Sequence, residues 1–252
     1  MKKYKPFYKN WIWYYHLVAC LLFIGFLSWG FYLSSFVEHW YSDNAFTNYD
    51  ILVSFFSVQV NLMTIVWLIV YIINFDKKEK HGIITDRFRM VIMNWNMLVF
   101  LIFWMGVVYY IKTGEDSIVN YSTNQIICTI VTHMICPIML FIIYQFSMGN
   151  EQYSYNFYKK WDIYLVFIYA ASYLAYVYVR GELYLASGKK IGLYPYPFVD
   201  FQYLFIGNSV ILYVLYLIIA FFIWFSLHHL WLVYNNNLIY RIKERKRIVC
   251  SV

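Results

Sequence analysis

The stretch VILYVLYLIIAFFIWFSL, residues 210–227, lies at the centre of a run without charged side chains that extends from residue 202 to residue 234. A helix needs about 20 apolar residues to cross the roughly 30 Å hydrocarbon core of a bilayer, so this run predicts a membrane-spanning helix. Of the 252 residues, 62% are hydrophobic and 13% are charged, whereas soluble domains average about 45–50% and about 25%. This composition excludes a soluble domain and a disordered chain.

Five more apolar runs of similar length precede this one. The six predicted spans cover residues 11–36, 50–75, 88–112, 123–148, 161–180 and 202–234. The sequence lacks the alternating segments of about ten residues that are typical of membrane barrels, and helices are the other structure that satisfies its own backbone groups in lipid. We therefore predict an all-α fold, a polytopic bundle of six transmembrane helices that forms one domain over residues 1–252.

The basic residues predict the orientation of this bundle. If the chain begins inside, 16 of the 20 Lys and Arg residues lie in the termini and inner loops, and 4 lie in outer loops. Lys and Arg accumulate on the cytoplasmic side of multi-pass proteins, so we expect both termini to be cytoplasmic. The net charge of +7 then serves topology and indicates no nucleic-acid partner. The abundance of Ile, Asn, Lys, Tyr and Phe suits an AT-rich bacterial genome, and the cell membrane is the expected location.

Polar side chains inside two spans form the candidate site. The second span contains Ser57, Gln59 and Asn61, and the fourth contains His133 four residues before Pro137. If both spans are continuous helices that run inward, Ser57 and His133 lie about 10 Å and about 15 Å below their outer ends. Polar groups in hydrocarbon are costly, so each is either satisfied by neighbours or used in function.

Ser57 and His133 have the chemistry of a nucleophile and its base, since an imidazole within reach of a hydroxyl can accept its proton. A structural interpretation is open as well, because an isolated His often bonds a carbonyl and a helical Ser often bonds its own backbone. The residue types alone favour that structural interpretation. The spacing of His, Cys, Asp and Glu matches no metal-ligand pattern, and we expect no metal and no cofactor.

Three short motifs resemble those of a known family. Residues 55–62, FFSVQVNL, resemble the FFT-x-QSN-L stretch of the bacterial Pr-six-Pr membrane proteins. Residues 133–137, HMICP, resemble the H-x-x-x-P stretch of that group, and residues 194–200, YPYPFVD, resemble its YPYPFLD stretch almost letter for letter. The group looks related to the androgen-induced intramembrane hydrolases, which are multi-pass enzymes that cleave fatty acid esters of hydroxy fatty acids with an intramembrane Thr and a His.

The resemblance implies catalytic roles for two residues. Ser57 stands where the hydrolases have their Thr nucleophile, and His133 stands where they have their His. The chain departs from the pattern by Ser in place of Thr, and by Val60 where the bacterial motif has Ser. The resemblance therefore implies a hydrolase of lipid acyl esters with its site in the outer half of the bilayer, and a membrane lipid or a lipid-like small molecule as the ligand.

Five residues are candidates for binding or orienting the substrate, namely Gln59, Asn61, Tyr194, Tyr196 and Asp200. Gln59 and Asn61 could donate to an oxyanion or orient a neighbour, and Asp200 could orient His133. Tyr194 and Tyr196 belong to an outer loop with two prolines, which restrict the residues before them to extended conformations. We expect this loop to cover the mouth of the site.

Two other functions remain open at this point. A transporter or substrate-binding subunit would use the same polar groups and a kinked helix to line a path for a small molecule. A scaffold would need no chemistry at all, and the oligomeric state is not predicted. The three functions differ in the cavity that they require. A hydrolase needs a pocket that joins Ser57 to His133, a transporter needs a path open to both sides, and a scaffold needs neither.

Overall fold

A computed structural model describes residues 7–77, 81–113, 121–189, 191–204 and 206–249. The described chain is helical and contains no strand. Six helices are long and apolar enough to cross a membrane, namely Trp11–Val37, Phe56–Ile73, Asp86–Val108, Thr123–Ser147, Lys160–Ala186 and Val210–Lys246. The prediction of an all-α bundle with six spans is confirmed, and the orientation of the termini stays a prediction.

The helices are separated by short turns. They are α1 (Trp11–Tyr32), α2 (Ala45–Ser54), α3 (Phe56–Ile73), α4 (Asp86–Thr113), α5 (Thr123–Ile130), α6 (Cys136–Ser147), the one-turn α7 (Tyr155–Phe157), α8 (Ile163–Ala186) and α9 (Val210–Val249). Three π-helical turns, Leu33–Val37, Val131–Ile135 and Tyr158–Asp162, extend α1, join α5 to α6 and lead into α8. Short 3-10 turns cover Phe7–Lys9, Gly82–Ile84 and Pro197–Val199.

The structure moves four of the predicted span boundaries by more than two residues, and the largest move is the end of the sixth helix, which continues past residue 234 to Val249. The second span does not start at residue 50, because Phe55 is extended (φ −71°, ψ 132°) and separates α2 from α3. The fifth helix continues to Ala186, past the predicted end at residue 180. The sixth helix begins at Val210 and not at residue 202, since a turn with Gly207 at φ 73° precedes it. Apolar composition marks a span but does not locate such breaks.

Successive spans run in opposite directions. The C-terminal ends of α1, α4 and α8 and the N-terminal ends of α3, α5 and α9 are therefore at the same end of the bundle. We call this the cavity end. Glu38, just after α1, accepts hydrogen bonds from Ser122 and Asn124 at the start of α5. The opposite end, where α4 and α8 begin, we call the network end. Between the two ends α1 packs on α3 and α6, α3 packs on α4, and α8 packs on α9.

The interior and the outward faces of the bundle are both apolar. Large side chains such as Phe23, Trp67 and Phe225 are fully buried between helices. Ile73, Ile168 and Ile211 project outward and are more than half exposed in the isolated chain. An apolar exterior is what a lipid-facing surface requires, because the hydrocarbon core provides no partner for polar groups.

Candidate functional site

A cavity of about 730 Å³ lies inside the bundle at the cavity end. Its wall is drawn from all six spans and from the loop between α8 and α9, and aromatic and aliphatic side chains dominate it. The volume falls in the range of roughly 300–1,000 Å³ found for sites that enclose a small ligand. Ser57, His133 and Tyr196 all belong to this wall. The structure therefore brings these three predicted residues together.

Ser57 lies in the first turn of α3 as a consequence of the break at Phe55. The expected continuous helix, with Ser57 two turns inside it, is therefore not what the chain forms. The first amides of a helix have no acceptor within the helix. Here the Ser57 N–H donates to Tyr196 Oη at 3.3 Å, and Tyr196 Oη lies 3.5 Å from Ser57 Oγ. Ser57 is thus placed where amides and the helix dipole favour negative charge.

His133 lies in the π-helical turn Val131–Ile135 that joins α5 to α6. Pro137, in the first turn of α6, has no N–H to donate to the preceding turn. Single π turns inside a helix occur frequently at functional sites. The turn is therefore the local feature that presents the His133 ring to the cavity.

The hydrogen bonds of His133 determine which ring nitrogen carries the proton. Nδ1 lies 3.1 Å from the Thr129 carbonyl oxygen and 2.9 Å from Thr132 Oγ1. Thr132 Oγ1 itself donates to the Cys128 carbonyl at 2.8 Å, so both neighbours accept from Nδ1–H. Nε2 is then the unprotonated nitrogen, and no residue in the described ranges bonds to it. This is the tautomer that a general base requires.

Several neutral polar residues of the wall, Gln125 and Tyr41 among them, are absent from the sequence prediction. Gln125 is 6% exposed and precedes Thr129 and His133 by one and two helical turns, so the three share one face. Within the described part of the chain, the side-chain carboxamide of Gln125 makes no hydrogen bond, whereas its backbone N–H donates to Ser122 Oγ. Polar residues at this helical spacing are the signal that would have identified Gln125 from the sequence.

Gln59 and Asn61 are not among the described wall residues, although they neighbour Ser57 in sequence. The Gln59 amide donates to the Val53 carbonyl at 2.9 Å and accepts from Tyr169 Oη at 3.1 Å. These bonds hold the extended break between α2 and α3. Asn61 is fully buried, and neither atom of its amide has a hydrogen-bond partner in the described ranges.

Asp200 and Tyr194 also lie outside the described cavity wall. Asp200 accepts a hydrogen bond from the Gln202 N–H at 2.9 Å and lines a separate surface depression. The structure therefore does not bring Asp200 to His133. Tyr194 packs its ring against Gly181, where a Cβ would overlap it. Nearby Pro195, Tyr196, Pro197 and Phe198 do belong to the wall, so the proline-rich loop lies over the cavity through its middle residues.

Arg180 anchors that loop beside the cavity. Its guanidinium is buried and donates to the carbonyl oxygens of Gly192 and Leu193 at 2.7 and 3.0 Å. It also donates to Asp50 at 2.7 Å, and Tyr184 Oη donates to the same carboxylate. Gly192 has φ 66°, and a Cβ there would lie 2.5 Å from Ile51. We call Arg180, Asp50 and Tyr184 the loop clamp.

Burial and hydrogen bonding set the ionisation of Tyr196. Burial raises the pKa of the Tyr196 phenol above its ordinary value, and the bonds to Ser57 oppose that rise only in part. The hydroxyl is therefore neutral at physiological pH and able to donate. Within the described residues no group of three or more His, Cys, Asp or Glu side chains is arranged to hold a metal ion.

The chain was compared with known proteins, and no similar protein was found. No protein-family model, no curated protein and no solved structure matches the chain. The likeness of the three motifs to the Pr-six-Pr proteins therefore stays a prediction.

Proposed function

We propose that the protein is an intramembrane hydrolase of lipid acyl esters, with Ser57 as nucleophile and His133 as general base. One observation carries the proposal. Ser57 and His133 come from distant parts of the chain and line the same apolar cavity, with the His133 ring held in the tautomer that accepts a proton. The resemblance of the Ser57, His133 and proline-loop motifs to a hydrolase family supports the same assignment.

The reaction would proceed through an acyl-enzyme. His133 Nε2 takes the proton of Ser57 as Oγ attacks the ester carbonyl, and the imidazolium then returns that proton to the departing alkoxide. A water molecule, deprotonated by the same nitrogen, releases the fatty acid and restores Ser57. The reacting atoms must approach to about 2.6–3.2 Å, although this distance is often longer without substrate.

The beginning of α3 is suited to stabilise the oxyanion of this reaction. The free amides of its first turn and the positive end of its dipole favour negative charge. Tyr196 Oη now accepts from the Ser57 amide. When an oxyanion takes that acceptor position, the neutral phenol becomes a further donor beside it.

Our proposal includes the membrane and the orientation. The richness in Ile, Asn, Lys, Tyr and Phe favours a bacterial cell membrane, and the bias of basic residues favours both termini in the cytoplasm. The cavity end then faces outward, and the substrate enters from the outer leaflet.

A substrate-binding subunit without catalysis is the second candidate. One observation favours it, namely that the Ser57 hydroxyl contacts Tyr196 and not His133. A transport path has less support, because the described wall of the cavity reaches the middle of α4 at Leu98 and does not extend to the network end. Towards the network end, buried side chains such as Asn94, Asn96 and Thr64 are hydrogen bonded to their neighbours.

Ester cleavage by the purified protein in lipid nanodiscs tests the proposal. Wild type should hydrolyse long-chain acyl esters, and Ser57→Ala and His133→Ala should each lower the rate by about 10²-fold or more. Ser54→Ala is the matched control, since Ser54 is buried next to the same break and bonds the Ile51 carbonyl outside the described cavity wall. Equal rates in all four proteins would contradict the proposal.

A further inference from the structure

We infer that the cavity selects an uncharged acyl ester with a single chain and rejects amphiphiles that carry a carboxylate or a phosphate. The inference deepens the proposed function by naming a substrate class, and it rests on that function for the ester group. This class differs from the fatty acid esters of hydroxy fatty acids cleaved by the androgen-induced hydrolases, because those esters retain a carboxylate. The selection of an uncharged ligand rests on the cavity itself.

The described cavity wall is built from uncharged side chains. No Asp, Glu, Lys or Arg belongs to the wall in the described part of the chain. Its polar members include the hydroxyls and amides of Ser57, Gln125 and Tyr196, together with the His133 ring. Burying an anion in such surroundings costs several kcal/mol unless a cation pairs with it. The described part of the wall offers hydrogen bonds to an ester and a hydroxyl, but no Lys or Arg to a headgroup.

The charged groups next to the cavity have partners of their own. The Arg180 guanidinium is near the loop but is taken up by Asp50 and two carbonyls. Trp40 belongs to the cavity wall, and its indole N–H donates to Glu38 at 2.6 Å. The fixed charge that touches the wall at Trp40 is therefore negative, and it repels anionic ligands.

Glu38 is ionised at neutral pH. Burial tends to raise its pKa, but hydrogen bonds from Ser122, Trp40 and Asn124 outweigh that effect and lower the pKa below its ordinary value. Ser122 Oγ and Asn124 Nδ2 lie 2.5 and 2.8 Å from the carboxylate. The negative charge at the cavity is thus a stable feature of the fold.

The volume of the cavity suits a ligand with one acyl chain. A cavity of about 730 Å³ lies within the range of sites that enclose one drug-sized ligand. One acyl chain can lie along the aromatic part of the wall, which includes Phe26, Phe103 and Phe221. A lipid with two chains would have to leave one of them outside. The ester of a single-chain lipid would then meet Ser57 while its neutral head meets Gln125.

Binding to the Ser57→Ala protein tests the inference without catalysis. The protein is placed in nanodiscs of zwitterionic lipid with a fluorescent neutral alkyl ester as the reporter. Three competitors with the same chain are compared at equal mole fraction in the lipid: monooleoylglycerol, oleate and oleoyl lysophosphatidic acid. We expect monooleoylglycerol to displace the reporter at least ten times more effectively than either anion at pH 8. Equal or better displacement by an anion would overturn the inference.

A variant and a titration sharpen the test. Gln125→Lys places a cation in the wall and should raise the relative affinity for oleate at least tenfold, whereas Gln125→Leu should not. If Gln125→Lys fails to fold, the competition experiment on the Ser57→Ala protein is repeated over a range of pH. Displacement by oleate should then strengthen as acid neutralises its carboxylate, while displacement by monooleoylglycerol stays constant. A Gln125→Lys protein that folds without any gain for oleate, or an oleate affinity independent of pH, would contradict selection by charge.

The outcome separates this inference from the proposed function. If Ser57→Ala binds the neutral competitor selectively and wild type cleaves no ester, the hydrolase proposal fails and the ligand class stands. If wild type cleaves anionic esters as fast as neutral ones, the hydrolase proposal stands and the inference fails.

Discussion

The two ends of the bundle treat buried polar groups in opposite ways. At the cavity end, the neutral side chains of Ser57, Gln125 and His133 line a cavity. At the network end, Asp162 lies 3.1 Å from Arg87 and 3.4 Å from His229; the side chains of Asp162 and His229 are buried, and that of Arg87 is 23% exposed. Asp162 is thus paired with basic side chains, whereas the neutral polar side chains of the cavity wall face open volume.

The energetics explain this division. A buried charge that loses its partner destabilises a protein strongly, so the network end joins α4, α8 and α9 through pairs that must all be present. An unpaired hydroxyl or amide costs less and remains available to a ligand. The comparison indicates that in this protein the buried charges at the network end hold helices together, whereas the neutral polar groups of the cavity wall are placed to meet a ligand.

Asp162→Ala should give the largest effect. It removes the carboxylate that Arg87 contacts, and breaking one side of a buried ion pair costs about 3–5 kcal/mol. We expect a clear fall in the midpoint of thermal unfolding in detergent. Asp43→Ala, in an exposed position, is the matched control and should leave the midpoint unchanged. Equal midpoints for the two variants would remove the structural role assigned to the network end.

Arg180→Ala tests the loop clamp, in which Arg180 and Asp50 form an ion pair at the cavity end. It leaves two carbonyls without their Arg180 donor and leaves Asp50 with Tyr184 alone, at a cost of roughly 1–3 kcal/mol. We expect faster chymotryptic cleavage between residues 194 and 203, together with loss of ester cleavage, because Tyr196 is no longer held over Ser57. Arg241→Ala, on the exposed part of α9, should behave as wild type. Unchanged proteolysis in Arg180→Ala would show that the loop is held by its packing alone.

Tyr196→Phe should barely change stability but should reduce activity. The lost hydroxyl bonds the Ser57 amide, and a single hydrogen bond contributes about 0.5–1.5 kcal/mol. As an oxyanion donor it would contribute more, so we expect kcat to fall by about 10–100-fold with little change in KM. Tyr203→Phe, whose ring is exposed, provides the control. A change in KM alone would assign Tyr196 to substrate binding.

Acidification should give the smallest effect. Glu38 has a pKa in the folded chain below the ordinary value of 4.5, because hydrogen bonds from Ser122, Trp40 and Asn124 outweigh its burial. Its contribution to stability is therefore present above pH about 4.5 and is lost as pH falls through the folded pKa. Between pH 7 and pH 3, wild type should lose more stability than Glu38→Gln. Parallel pH curves would show that the bond between α1 and α5 contributes nothing.

The sequence predicted the spans better than the site, for physical reasons. Each span is a run of apolar residues long enough for the bilayer, so composition alone identifies it. The break at Phe55 lies between apolar neighbours and is stabilised by distant groups, since Tyr173 bonds the Ser54 carbonyl and Tyr196 bonds the Ser57 amide. No local pattern contains that information.

The same limit explains which candidate residues reach the cavity. Ser57 and Gln59 are two residues apart, and the rotation of α3 about its axis decides which one faces inward. That rotation depends on packing against other helices. The prediction that Asp200 orients His133 required a distance between a loop and a helix, and sequence spacing carries no such distance. Gln125, by contrast, was available from its spacing to His133 on one helical face.

Site mapping with a serine-reactive probe tests the central claim most directly. A fluorophosphonate with a long alkyl chain is added to membranes that contain the protein, and the modified peptide is identified by mass spectrometry. We predict a single adduct on Ser57, formed in wild type and in Ser54→Ala, and lost in His133→Ala because the hydroxyl is then no longer activated. An adduct on another residue, or labelling of Ser57 that does not depend on His133, would contradict the account.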